Sequence, residues 1–164
     1  MPVYSKVIND EAILDLLSKN NTCHSILILG CGGCMNESLA YDGDLCIYKD
    51  GTESPCATIT ELNRIRKLLG DHHYSVIIKH FDGVKGFLCM DNVDDNDYGM
   101  NLDIQPDIIL VLSCLSGHYA LKNRLPKSNI ICITEIKGGL SYYFKDEEGT
   151  RFIVKEKSKI TPME

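Results

Sequence analysis

The chain has 164 residues, of which 44% are hydrophobic, and its 23 acidic and 17 basic residues give a formal net charge of -6. This length suits one globular domain with a sizeable core, and the acidic balance without a basic stripe argues against nucleic-acid binding. No apolar run approaches the roughly 20 residues of a membrane span, and the amino terminus lacks a signal-peptide pattern, so we expect a cytoplasmic protein.

Two cysteines lie in a glycine-rich loop directly after the first predicted strand. Asn9 or Asp10 caps a predicted helix that runs to residue 20, and the apolar residues 25–29 then form a buried strand. The strand leads into the sequence Gly-Cys-Gly-Gly-Cys at residues 30–34. Glycines let the backbone approach a bound group closely, and the spacing of Cys31 and Cys34 lets both sulfurs reach one metal or each other.

The next region contains an unassigned segment and then a helix. Residues 36–41 are too few to assign. Two Asp-Gly pairs bracket residues 45–48, which indicates a small excursion over residues 42–55, such as a hairpin. Pro55 then starts a predicted helix with apolar residues at helical spacing, and Gly70 ends it.

Three further apolar runs, at residues 74–81, 108–112 and 130–134, predict strands that are covered on both faces. A helix that begins at Ser116 or Gly117 and ends before Pro126 separates the last two. This alternation predicts one α/β domain over residues 1–164, a parallel sheet flanked by helices that resembles a flavodoxin-like domain. Residues 140–144 and 151–155 predict a C-terminal β-hairpin or edge-strand extension.

Four of the eight cysteines are expected at one edge of this sheet. Without a signal peptide, so many thiols indicate metal binding or redox chemistry rather than a disulfide framework. Cys31 and Cys34 follow the first of the parallel strands, Cys89 lies in the long loop after the second, and Cys114 comes just after the third. Because open α/β sheets bind ligands beyond the carboxyl ends of their strands, these four thiols are candidate ligands of one centre.

The chemistry of four thiols leaves more than one centre open. Thiolates packed together repel one another, so convergence implies a cation or cluster, and four cysteines suit either tetrahedral zinc or a [4Fe-4S] cluster. The remaining cysteines are expected to play other parts. Cys23 lies before the first parallel strand and Cys132 within the last one, so both are expected to be structural, whereas Cys46 and Cys56 are reserve ligands.

The order of motifs resembles the iron-sulfur small subunit associated with methylenetetrahydrofolate reductase in acetogenic bacteria. The motifs that carry the likeness are residues 29–34, Cys89, residues 107–114 with Gly117, and Thr134 and Gly138 before Phe152. The likeness covers about residues 25–152. It implies a [4Fe-4S] protein, ligated by Cys31, Cys34, Cys89 and Cys114, that helps to pass electrons to a flavin-bearing, folate-binding subunit.

We therefore expect a non-catalytic accessory subunit, since no nucleophile, base and orienting group form a recognisable set. The expected partner is a larger flavin-containing methylenetetrahydrofolate reductase-type enzyme or a related one-carbon or corrinoid enzyme. It would dock on the cluster edge, the acidic loop at residues 91–97 and the C-terminal hairpin. Two alternatives are a thiol-disulfide oxidoreductase that uses Cys31 and Cys34, and a structural zinc module on the same four ligands.

Overall fold

The computed structural model describes residues 2–20, 22–49, 54–81, 88–89 and 105–163. The elements in chain order are β1 (Val3–Val7), α1 (Asp10–Ser18), β2 (Ser25–Cys31), α2 (Cys34–Gly43), β3 (Tyr48–Lys49), α3 (Cys56–Asp71), β4 (Ser75–Phe81), β5 (Ile108–Leu112), α4 (Leu115–Arg124), β6 (Ile130–Cys132), β7 (Thr134–Ser141), β8 (Phe144–Glu147), β9 (Thr150–Ile153) and β10 (Lys159–Pro162).

The central layer is a parallel sheet with the strand order β4-β2-β5-β6. Its two inner strands, β2 and β5, are apolar and buried along nearly their whole length because strands cover them on both sides and helices on both faces. Each of the four strands comes from an apolar run that sequence pattern identifies. The prediction of a mixed α/β protein with a parallel sheet flanked by helices is therefore confirmed. The prediction that residues 74–81 are covered on both faces is wrong, because β4 is an edge strand in which only Phe81 is buried.

Two predicted helices form from ordinary local signals. The side chain of Asn9 caps α1 by accepting a hydrogen bond from the Ala12 amide at 2.8 Å, and this helix buries Ile13 and Leu17. In α3, the apolar positions at helical spacing, among them Leu62, are buried against the sheet. A helix in this layer therefore packs over β2 and over the loop that follows it.

Helix α2 occupies the segment that sequence pattern leaves unassigned, because polar side chains hold it in place. Asn36 and Ser38 are both fully buried on its inner face. The Asn36 side chain donates to the carbonyl of Ile47 at 3.1 Å and accepts from the amide of Thr58 at 2.9 Å. These buried polar side chains form hydrogen bonds within the fold. Because they are polar, the helix lacks the regular spacing of apolar residues by which helices are recognised in a sequence.

Two smaller sheets complete the chain. In one, β7 lies between β1 and β10, and in the other, β9 lies between β3 and β8. The prediction of a hairpin within residues 42–55 is wrong for the part of this segment that the structure describes, because β3 pairs with β9, which lies far along the chain. Residues 50–53 lie outside the described ranges.

The C-terminal strands differ in extent from the prediction. Leu140 and Ser141 belong to β7, which pairs with β1 and β10, while β8 and β9 pair with each other over residues 144–153. The predicted strand at residues 130–134 likewise divides into β6 and the start of β7. Among the described helices, none is long and apolar enough to cross a membrane.

Candidate functional site

The candidate site lies at the carboxyl edge of the central sheet, between β2 and β5. From β2 the chain crosses to β4 on one side, whereas from β5 it crosses to β6 on the other side. This change of direction makes the crevice between β2 and β5 a topological switch point, the usual ligand position in open α/β sheets. Cys31 is the last residue of β2, and Cys114 follows β5 by two residues.

The loop that carries Cys31 and Cys34 is held from two sides. Gly30 allows α3 to pack closely on β2, since a Cβ at this position would lie 2.7 Å from the Leu62 side chain. The Thr58 hydroxyl of α3 donates to the Cys31 carbonyl at 3.0 Å. From the opposite direction, the Tyr48 hydroxyl donates to the Gly32 carbonyl at 2.7 Å. The excursion that contains β3 therefore serves to hold the cysteine loop.

Cys31 lies inside the fold, with 4% of its surface exposed. Its sulfur accepts a hydrogen bond from the Gly33 amide at 3.5 Å. Burial raises the pKa of the Cys31 thiol to about 11, although the backbone amides of Gly33 and Leu88 act in the opposite direction. In the metal-free protein Cys31 is therefore a protonated thiol at neutral pH.

Cys34 and Cys114 influence one another's pKa, and each lies at the start of a helix. Cys34 is the first residue of α2 and Cys114 is the N-cap of α4. The interaction between the two side chains raises the pKa of Cys34 and lowers that of Cys114. The amides of Gly117 and Ser116 lower the pKa of Cys114 further, so Cys114 is the more acidic thiol of the two.

Cys89 approaches this pair from the segment that follows β4. Cys89 is exposed as a residue, but the part of its side chain that is buried raises the pKa of the thiol. The charge of Cys114 raises that pKa further. The approach depends on Gly117, because a Cβ on that residue would lie 3.1 Å from the Cβ of Leu88. The glycine thus allows the segment that bears Cys89 to lie against the first turn of α4.

The structure brings the four predicted cysteines together as a connected set. Cys31 interacts electrostatically with Cys89 and Cys114, and Cys114 also interacts with Cys34. The donor set fits a soft metal centre in its chemistry, since four thiols are the ligands of zinc and of iron-sulfur clusters. Across the described ranges, however, no three or more His, Cys, Asp or Glu side chains are grouped so as to hold a metal ion. The sulfurs are neighbours that would have to move closer together to share a ligand.

Comparison with known proteins does not assign this chain to a family. The chain matches no protein-family model, no curated protein and no solved structure. The functional argument therefore depends on the residues of the site themselves.

Glu37 is a half-buried acid beside the site that sequence reasoning does not single out. Burial raises the pKa of Glu37, and the Tyr142 hydroxyl, which donates to its Oε1 at 2.8 Å, acts in the opposite direction. The charge of Glu37 in turn contributes to the raised pKa of Cys34, which lies one turn earlier on α2. The sequence holds no signal for this pair, since Tyr142 comes from the distant C-terminal region.

His118 lies one turn after Cys114 on α4. Its backbone amide donates to the Cys114 carbonyl at 3.3 Å, and burial lowers the pKa of its ring. The ring nitrogen Nδ1 is buried and has no hydrogen-bond partner among the described residues. His118 is therefore neutral at physiological pH.

The other four cysteines have different surroundings. Cys23 is buried in the main hydrophobic cluster, and the Cys132 thiol lies 3.3 Å from the hydroxyl of Thr134. Cys56 begins α3, where its sulfur lies 3.8 Å from the Ser54 carbonyl, and Cys46 is partly buried between α2 and β3. All eight cysteines, each within the described ranges, are reduced.

Proposed function

We propose that Cys31, Cys34, Cys89 and Cys114 ligate a [4Fe-4S] cluster at the carboxyl edge of the sheet. The observation that carries the proposal is the position of these thiols at the carboxyl ends of β2 and β5, where each of the other three interacts electrostatically with Cys114. Four thiolates are the usual ligands of a cubane cluster, which supplies one-electron transfer when it is bound. The protein would then act as an electron-transfer or structural subunit rather than as a complete enzyme.

The strand order supports this placement. Taken in chain order, the four parallel strands lie in the order second, first, third, fourth, which is the start of the flavodoxin-like arrangement. We therefore propose a flavodoxin-like sheet, whose ligand site would fall at the switch point between β2 and β5. The glycines of the cysteine loop would give the cluster room, and the first amides of α4 would donate towards its negatively charged sulfurs.

A partner enzyme would approach the same edge. We propose a larger flavin-containing methylenetetrahydrofolate reductase-type subunit, or a related corrinoid enzyme, as that partner. Aromatic side chains are exposed in two places: Tyr119 on α4, the helix that Cys114 caps, is 58% exposed, and Tyr143 beside β8 is 65% exposed. Exposed aromatic side chains of this kind are typical of the buried part of protein interfaces. The acidic segment at residues 91–97, which we also expect to contribute, lies outside the described residues.

Metal analysis of the protein purified without oxygen tests the proposal. We expect a brown protein with about four iron and four sulfide per chain. Stoichiometric zinc without visible absorption would replace the cluster by a structural zinc site, and a protein that binds neither metal would refute the proposal.

Single substitutions assign the ligands. Serine at each of the four proposed positions should remove or severely weaken the cluster, because a hydroxyl is a poor ligand for soft metals. Cys46→Ser and Cys56→Ser are matched controls, since each removes a partly buried thiol that is not one of the four proposed ligands. Both variants should retain the iron. Loss of iron in either control, with iron retained in Cys89→Ser, would give the third ligand to another cysteine.

A reconstitution assay tests the role as a subunit. The intact protein should form a complex with a flavin-containing methylenetetrahydrofolate reductase subunit on co-expression, and it should speed the transfer of electrons from a reduced dye to the flavin. A cluster-loaded protein that forms no complex would refute the proposed partner while leaving the cluster in place.

A further inference from the structure

The edge strand β4 uses only one side of its backbone for pairing. It lies at the end of the strand order β4-β2-β5-β6, and among the described strands it pairs with β2 alone. The Ser75 amide donates to the His24 carbonyl, and the Phe81 carbonyl accepts from the Gly32 amide. Because the N–H and C=O groups of successive residues point to opposite sides of a strand, the odd-numbered residues of β4 bond to β2 and the even-numbered residues point outwards.

The outward groups of Val76 and Ile78 are open. Their N–H and C=O groups point away from β2 and have no partner among the residues that the structure describes. Between them lies Ile77, an apolar side chain that is 45% exposed. An edge with open backbone groups and an exposed apolar side chain is a template on which another strand can pair.

We propose that a second copy of this chain pairs on this edge, with the two β4 strands antiparallel and a two-fold axis at Ile77. In this register Val76 of each copy lies opposite Ile78 of the other, and each such pair exchanges both of its N–H···O bonds. All the open groups of these residues are then paired in both copies. The contact is isologous, so it closes at a dimer.

The neighbouring registers fit less well. The next register in one direction would place Ile78 opposite Tyr74 of the second copy, whose amide already donates to the Leu69 carbonyl. The next register in the other direction would place the exposed Ile77 opposite Lys79 of the second copy, an apolar side chain against a charged one. The register with its axis at Ile77 avoids both.

The side chains and their charges suit this register. The two copies of Ile77 face each other at a position where the Cα atoms are about 4.5 Å apart, so that both side chains leave water. Lys79 lies opposite the uncharged Ser75 of the second copy, so no like charges meet there. The chain has a net charge of -6, but β4 contains no acidic residue, so two copies can approach along this strand without bringing its carboxylates together.

Disulfide trapping at the two-fold axis tests the register. In the full chain, Ile77→Cys should form a disulfide between the two copies of residue 77 under a mild oxidant, because a Cα separation of about 4.5 Å lies within the range of disulfides. Ser75→Cys is the matched control, since two copies of residue 75 would lie roughly 14 Å apart and should cross-link at least about tenfold less. Peptide mapping by mass spectrometry distinguishes this bond from any that the native cysteines form. Equal cross-linking at both positions, or none at residue 77, would overturn the proposal.

Sedimentation measures the association of the unsubstituted protein. At about 100 µM we expect roughly twice the 18.4 kDa mass of one chain, and dissociation on dilution because an edge contact of this length is small. Ile77→Lys would place two like charges opposite each other and should give a monomer, whereas Tyr143→Lys, which changes an exposed side chain beside β8, should leave the dimer intact. A monomer of the unsubstituted protein at about 100 µM, or a dimer that Ile77→Lys does not weaken, would overturn the proposal.

Discussion

Replacing Gly117 with alanine tests the close approach between α4 and the segment that bears Cys89. A Cβ at this position would lie 2.7 Å from Oγ of Ser113, 3.0 Å from its Cβ and 3.1 Å from Cβ of Leu88. The Ser113 hydroxyl is held in place because it donates to the Cys114 carbonyl at 2.8 Å. The added methyl group would therefore displace Leu88, and Cys89 with it.

Two opposing effects set the size of the change. Alanine in place of glycine within a helix adds roughly 0.5–1 kcal/mol to the free energy of unfolding. Forcing a methyl group into a filled site costs about 1–3 kcal/mol. For Gly117→Ala we therefore expect a net loss of about 1 kcal/mol.

Gly70 supplies the matched control. It also lies in a helix, α3, but a Cβ there would have no neighbour within 4 Å. Gly70→Ala should therefore raise the free energy of unfolding by roughly 0.5–1 kcal/mol. The assay is urea denaturation of the reduced, metal-free protein followed by circular dichroism. If Gly117→Ala were stabilised as much as Gly70→Ala, the close packing of Leu88 on α4 would be refuted.

Two further substitutions test the support of the loop and of the sheet. Tyr48→Phe removes the 2.7 Å hydrogen bond to the Gly32 carbonyl and should lower the free energy of unfolding by about 1 kcal/mol, whereas the exposed Tyr143→Phe should change it little. An equal effect in both variants would contradict the role of Tyr48. The Asp107 carboxylate accepts two backbone amides at the entrance of β2, at 2.8 and 3.0 Å, and these bonds lower its pKa. Its contribution to stability is then complete above the ordinary aspartate pKa of about 3.9 and is lost as the pH falls through the lowered value. Asp107→Asn should be less stable than the unsubstituted protein at neutral pH, and the difference should shrink in acid denaturation series. A difference that grew in acid would contradict the assignment.

The parts of the fold that sequence predicts are those whose signal is local. The strands β2, β4 and β5 each contain a short apolar run, and α1 and α3 show a regular apolar period with a polar or proline start. Because these signals need no knowledge of distant residues, a reading of neighbouring positions is sufficient to find them.

The parts that sequence misses depend on residues far apart in the chain. The strand β1 receives no prediction because its partner β7 lies at the other end of the sequence, and β3 has only two residues, which pair with β9. Helix α2 buries Asn36 and Ser38 where a periodic pattern would have apolar residues. In each case the missing information is a tertiary contact.

The candidate site likewise has one part that the sequence predicts and one part that depends on tertiary contacts. The position of Cys31 and Cys114 at one sheet edge follows from the parallel direction of the strands, which alternation of helices and strands predicts. The interaction between Cys34 and Cys114 could not be predicted, because it depends on how the first turns of α2 and α4 meet. In the sequence, Gly117 indicates only the start of a helix, whereas in the structure its lack of a side chain leaves room for Leu88.

The buried carboxamide of Asn36 has a consequence for how this domain can be engineered. Helix α3 has no side-chain cap of its own, and its Thr58 amide is satisfied by Asn36 from α2. Aspartate at position 36 would lack the donor for the Ile47 carbonyl, and leucine would leave both backbone groups unsatisfied. Since Thr58 also holds the carbonyl of Cys31, a graft that carried the cysteine loop to another scaffold without both helices would leave the loop unsupported. The transferable module is thus the loop, the two helices and the carboxamide that joins them.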